Sequence, residues 1–266
     1  MLLHATAHIT WFPWNVHPST VVGIAALGAA YVWRARAGRV PAPQKFSFAG
    51  GLLVLFSCLN GPIHDLSDDY LFSAHMVQHL LLTMVVTPLL IAGTPGWMLR
   101  PLLKKRLVFQ IARKITAPVF CFVFFSLTLA MWHLPPMYNL AMENHSVHIV
   151  QHLTFLAAST LMWWPLMSQL PELPRLSYPQ QMLYTFLLTV PMSVVSIIIT
   201  YAKGIIYPAY AAAPRITGLT PLEDQLLGGL IMWIPGGLVF VAVLTSVFFR
   251  WAAVGEDDAV SAQVHS

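Results

Sequence analysis

The sequence predicts an all-α protein, a polytopic integral membrane helical bundle of about seven transmembrane helices, with its N-terminus outside and its C-terminus in the cytoplasm. Three observations carry this. The 266 residues are 57% hydrophobic and only 9% charged, against about 25% charged in soluble chains. Several apolar stretches approach the roughly 20 residues that a spanning helix needs. The basic residues fall in alternate loops, as the preference of Lys and Arg for cytoplasmic loops requires.

The stretches run, in order, over Ser19–Trp33, Phe46–Asn60, Leu71–Ala92, Thr116–His133, His145–Met167, Gln180–Tyr201 and Leu222–Phe249. The first two are short for a span and are expected to extend into their flanks. Pro88, Pro191 and Pro235 lie inside spans and predict kinks, because neighbouring groups in a bundle satisfy the freed carbonyls. Residues 1–18 carry no Lys or Arg. They lack the basic start of a cleavable signal and read as an outer leader before an uncleaved first span. Residues 251–266 read as a cytoplasmic tail, and the whole of 1–266 as one membrane domain.

Orientation follows from charge. Arg34, Arg36, Arg39 and Lys45 follow span one; Arg100, Lys104, Lys105, Arg106, Arg113 and Lys114 follow span three; Arg175 and Arg250 follow spans five and seven. Only Lys203 and Arg215 fall on the other side. Seven alternating spans place the larger set inside, and an even number would put the basic loops on conflicting sides.

The same map gathers the histidines outside. His4, His8 and His17 precede span one, and His64 follows span two. His75 and His79 open span three, His133 closes span four, and His145, His148 and His152 open span five. His265 alone is inside. The segment His75-Met76-Val77-Gln78-His79 recurs as His148-Ile149-Val150-Gln151-His152. Residues four apart on a helix are separated by about 40° and about 6 Å, so each pair projects from one face with its glutamine alongside. Two facing helices would bring four imidazoles together. Imidazole suits copper, zinc, iron and nickel, and thioethers select Cu(I). Met76, Met131, Met137, Met142, Met232 and Cys58 lie near the same end. Cys58 and Cys121 form no CxxC motif, and their spacing does not argue for a disulfide.

Plainer readings stand beside these. A lone histidine at a helix end is an ordinary interfacial residue, and the two pairs also suit a hydrogen-bonded network between spans three, four and five. Most methionines suit packing or lipid, and Cys121 a small core position. Trp11, Trp14, Trp132, Trp163 and Trp164 suit interfacial belts. His4, His8 and His17 are placed to catch metal or simply to sit in the leader. Glu223 and Asp224 precede a glycine-rich helix with Gly228, Gly229, Gly236 and Gly237. They fit either partners for imidazoles or a helix cap. A multi-histidine site is expected to weaken as pH falls through about 6.5, with Asp65 or Glu223 raising histidine pKa values where they come close.

The runs Gly61-Pro62-Ile63-His64-Asp65-Leu66-Ser67-Asp68, Ser73-Ala74-His75-Met76-Val77-Gln78-His79 and Met232-Trp233-Ile234-Pro235-Gly236 resemble the CtaG family, linked to assembly of caa-type cytochrome c oxidase. The resemblance extends over spans two to seven. It implies a multi-pass protein of the bacterial plasma (inner) membrane that supports maturation of a haem-copper oxidase, with copper supply the suggested role. The expected reading is a copper-binding assembly factor that holds metal at His75, His79, His148 and His152, with His64 and His133 as further ligands. Its partners would be the oxidase subunits, the lipid bilayer and a periplasmic copper chaperone, with no nucleic acid. No catalytic triad, P-loop or dinucleotide fingerprint is present, so no enzyme is expected. A haem-binding redox protein and a copper transporter are the rivals. Haem in a bundle usually takes one histidine per helix, and a transporter would need polar ligands on the cytoplasmic side as well.

Overall fold

A computed structural model describes the backbone of residues 15–264 and the side chains of 15–254. His4, His8, Trp11, Trp14 and His265 lie outside the described residues. Every regular element among those described is helical. That suits a chain whose backbone polar groups must be satisfied within each segment.

The first two long helices are α1 (Pro18–Ala35) and α2 (Ala42–Leu59). A short helix, α3 (Pro62–Asp69), follows a sharp turn at Gly61, whose φ of 80° favours glycine. The third apolar stretch divides into α4 (Phe72–Leu80), a π-helical segment over Leu81–Val86, and α5 (Thr87–Gly93). Pro88 sits in the first turn of α5, so the distortion expected there is taken up as π-helix before it, with Thr87 Oγ1 donating to the Leu82 carbonyl at 3.0 Å. Then come α6 (Gly96–Leu99), α7 (Arg106–Ile115), α8 (Pro118–His133) and α9 (Pro135–Glu143). The chain ends with α10 (His145–Met167), α11 (Tyr178–Thr200), α12 (Pro208–Ala212) and α13 (Pro221–Val264). Pro191 and Pro235 lie inside continuous helices, as expected, and Pro165 lies inside α10. The helix α13 runs on through most of the segment read as a tail.

Each of the seven apolar stretches falls on a long helix or a broken one. Four are long and apolar enough to cross a membrane: Ala42–Leu59, Phe72–Gly93, Tyr178–Thr200 and Pro221–Val254. A fifth arises if α7 and α8, bent by 64°, are one broken span. The helix α7 was not anticipated, because its loop was read only for charge. It is amphipathic, exposing Leu107, Val108 and Ile111 between Arg106 and the Arg113–Lys114 pair, and Ile115 just after it.

Two contacts fix α4 against α13. Asp224, fully buried, accepts from the backbone N–H groups of Phe72 and Ser73 at 2.7 and 3.2 Å and from Ser73 Oγ at 2.5 Å. Gly228, one turn on, faces the Phe72 ring so closely that a Cβ there would overlap it. Of the two readings of Glu223 and Asp224, the cap is the one seen, and Asp224 caps α4 across the interface. Glu223 caps its own helix through Thr220.

Trp132 and Trp163 correct the belt reading. Both are buried, donating through Nε1 to Thr154 Oγ1 and to the Thr83 carbonyl, each at 2.8 Å. An indole finds a hydrogen-bond partner in a core as readily as at an interface.

Gly228→Val is expected to destabilise the bundle by about 1–3 kcal/mol, the usual cost of overpacking. Gly237→Ala, which meets open space, should change little. Thermal unfolding in detergent reads both, and equal loss in the two variants would refute this account of the α4–α13 contact.

Candidate metal centre

Both H-x-V-Q-H segments begin their histidine pair at the fourth residue of a helix, His75 in α4 and His148 in α10. The pairs face each other. Ring centroids stand 4.3 Å apart for His75–His79 and 4.5 Å for His148–His152. Across the helices they are 5.9 Å for His75–His148, 6.4 Å for His75–His152 and 5.5 Å for His79–His152. The four imidazoles expected from the repeated spacing are therefore together. His133 lies 6.4 Å from His79, and His64 6.2 Å from His148.

The surrounding hydrogen bonds decide which ring nitrogens carry lone pairs. Tyr210 donates its one proton to the Ser67 carbonyl at 2.7 Å. Its oxygen then accepts from Tyr138 at 2.9 Å and from His75 Nδ1 at 3.1 Å. His75 thus holds its proton on Nδ1 and presents a bare Nε2. His133 does the same, donating Nδ1–H to the Leu129 carbonyl at 2.7 Å. His148 points Nδ1 at Asp68 Oδ2, 3.4 Å away. Ring N–H groups held by a carbonyl or carboxylate are the usual companions of metal-ligating imidazoles.

His64 has another role. Gln78 donates from Nε2 to the Cys58 carbonyl at 2.6 Å, which fixes the amide orientation, and also reaches His64 Nδ1 at 3.1 Å. The proton of His64 is then on Nε2, 3.5 Å from Asp68 Oδ2. His64 holds the carboxylate instead of offering a lone pair. Asp68 is further tied through Oδ1 to Ser67 Oγ at 2.9 Å.

Seven buried ring nitrogens have no hydrogen-bond partner among the described residues: His75 Nε2, His133 Nε2, His148 Nε2 and both nitrogens of His79 and His152. A buried polar atom left unpaired costs about 1–3 kcal/mol, so this concentration needs a function. Ligand atoms of Asp68, His75 and His148 also lie within 4.8 Å of one another, close enough to share an ion. The residues fit a transition-metal ion, with neutral imidazoles as principal donors and Asp68 as ligand or orienting carboxylate.

A cleft of about 290 Å³ between α1 and α10 leads to the cluster, lined by His17, His64, His145, His148 and His152. His17 packs edge-on to His64 at 4.7 Å and stands 6.1 Å from His145. Both histidines were readable only as scattered end residues, yet they line the approach. Asp68 was visible in the sequence as one acid among several; the carboxylate at the imidazoles is this one, whereas Asp65 instead accepts from Asn15 and Glu223 caps α13. Tyr138 and Tyr210 gave no signal at all. Among the sulfur residues, Met131 is exposed and Cys58 contributes only its carbonyl.

Fold and site together define an all-helical membrane protein built around a buried polyhistidine cluster. The chain belongs to the family of cytochrome c oxidase caa3 assembly factors, whose profile matches residues 26–253. It is also 22% identical, over 198 residues, to an uncharacterized protein of Mycobacterium bovis and to one of Mycobacterium tuberculosis. Those alignments cover 68% of this chain but 30% of each relative, so the chain spans under a third of the curated relatives it matches. No solved structure gives a significant match.

Burial pushes the Asp68 carboxyl up to about 7, with Asp69 and Asp65 adding to the rise. Burial, reinforced by His17, His148 and His145, pushes His64 down to about 4. Asp68 is then the group that takes up a proton as pH falls through 7, while His64 stays neutral. A protonated Asp68 is a poor ligand and a poor acceptor for His148, so divalent-metal affinity should fall below pH about 7. Asp68→Asn should bind more weakly at pH 8 and flatten the profile. Metal titrations against a competitor of known affinity test this, and an unchanged slope in the variant would exclude Asp68.

Proposed function

We propose that this protein is a copper-binding assembly factor that loads at the outer face of the bacterial plasma membrane and supports copper delivery to a haem-copper oxidase. The seven unpartnered ring nitrogens are the observation that carries the reading. Family membership supplies the oxidase, and imidazole chemistry admits copper among few metals. His75, His79, His148 and His152 hold the ion, His133 extends the set, and Asp68, His64, Gln78 and Tyr210 hold the ligands in place. No catalytic step is assigned. Oxidase subunits are the acceptors, and a periplasmic copper chaperone is the donor that an outward-facing cleft suits.

The topology belongs to the same proposal. Seven spans, with α1, α10 and the short α8 counted as membrane helices, put the histidine end outside and the Arg- and Lys-rich end inside. Alkaline phosphatase fused at Asp68 should be active and fused at Lys105 inactive. The reverse pattern would place the cluster in the cytoplasm and sink the outward-loading role.

Purified protein should carry copper at about one or two ions per chain, at roughly four ligands per site. Replacing His75, His79, His148 and His152 together by Leu should abolish it while the protein still inserts, since Leu refills most of each ring's volume. Loss of active oxidase in cells carrying that variant, with restoration by added copper, would tie the site to assembly. A visible haem spectrum in the wild type, or copper retained by the variant, would overturn the reading.

A further inference from the structure

One turn along α4 beyond His75, a second, small cavity of about 20 Å³ lies between α4, α8, α10, α11 and α13. His79 and His133 line it together with Met76, Met192 and Met232. All three methionines are buried, at 1%, 3% and 4% exposure. They come from three different helices and meet on one small space. The rest of its wall is apolar apart from Thr83, whose hydroxyl is already bonded to the His79 carbonyl. No carboxylate lines it.

The imidazoles are prepared for a ligand. His133 Nε2 is buried and unpartnered, its tautomer set by Nδ1–H on the Leu129 carbonyl, and both nitrogens of His79 are unpartnered. Thioether packing alone would explain the methionines. It does not explain two buried imidazoles turned toward the same cavity with their lone pairs unmet, which is costly in an apolar interior.

We propose that this cavity is a second metal site, distinct from the Asp68 end of the cluster and selective for a soft monovalent ion, cuprous copper. The donor set decides the class. Neutral imidazole and thioether offer no negative charge, so a divalent ion would keep its full charge in a low-dielectric space. Soft thioether ligands select Cu(I). The Asp68 end has a different character, with a carboxylate within reach of His75 and His148, and suits a divalent ion. His79 stands between the two sets, 4.3 Å from His75 and 6.4 Å from His133, and is the residue they share. This inference rests on copper being the metal handled, but not on delivery to an oxidase.

The test is cuprous titration of the purified full chain under reductant, against a chromogenic Cu(I) chelator, with Ag(I) as an inert probe of the same site. Met76→Leu with Met232→Leu keeps side-chain volume, and should weaken Cu(I) and Ag(I) binding on the order of 100-fold while leaving divalent binding at the Asp68 end unchanged. His133→Leu should weaken Cu(I) and Ag(I) binding likewise. Asp68→Asn should show the reverse selectivity. X-ray absorption of the cuprous protein should show copper–sulfur scattering that disappears in the double methionine variant. Unchanged cuprous affinity in both the methionine and His133 variants would overturn the second site and leave the first standing. Absence of cuprous binding in the wild type would also overturn it. Loss of divalent and cuprous binding together in the methionine variant would mean one undivided site.

Discussion

The carboxylate of Asp224 holds the arrangement together. It reaches from α13 into the N-terminus of α4 and satisfies two of the donors that a helix leaves unpaired. A charge in this position is fully buried, and it is tolerable because the partial positive charge of the helix end meets it. The consequence is rotational. With its first turn anchored to α13 and Phe72 wedged against Gly228, α4 has one azimuth available. That azimuth turns His75 and His79 toward α10. Without the cap, the same H-x-V-Q-H spacing would put two imidazoles on one face but would not choose which neighbour they face.

A second layer sets protons instead of positions. His75 and His133 each hold Nδ1–H toward a different kind of acceptor, a tyrosine oxygen and a backbone carbonyl. The outcome is the same twice, a bare Nε2, and His148 turns its Nδ1 toward the Asp68 carboxylate. Gln78 does the opposite for His64 by filling its Nδ1 lone pair. The division between residues that bind and residues that orient is thus made by the neighbours, since the imidazoles themselves are chemically alike.

This division explains what was legible in the chain. The all-helical character and the seven apolar stretches follow from composition and length, because a bilayer leaves backbone few alternatives. The four-imidazole cluster was readable from two copies of a four-residue spacing. Asp68, Tyr138 and Tyr210 were not, because they reach the site from α3, α9 and α12, short helices that no periodicity announces. The amphipathic α7 hid in a segment read for its basic residues. Trp132 and Trp163 look alike in sequence whether they sit at an interface or in a core; only the Thr154 and Thr83 partners tell them apart.

The π-helical segment Leu81–Val86 begins two residues after His79. Such a segment packs more residues per turn than an α-helix, and a single extra residue is enough to create one. Its place in the chain gives it an evolutionary meaning. A residue gained there shifts everything on one side by about 100° relative to the other, so His75 and His79 share their present bearing with Thr87 and Ile91 only while that residue is kept. The gene should therefore accept substitutions through this stretch far more readily than a one-codon deletion, which would restore regular helix and swing the imidazoles out of line with α10.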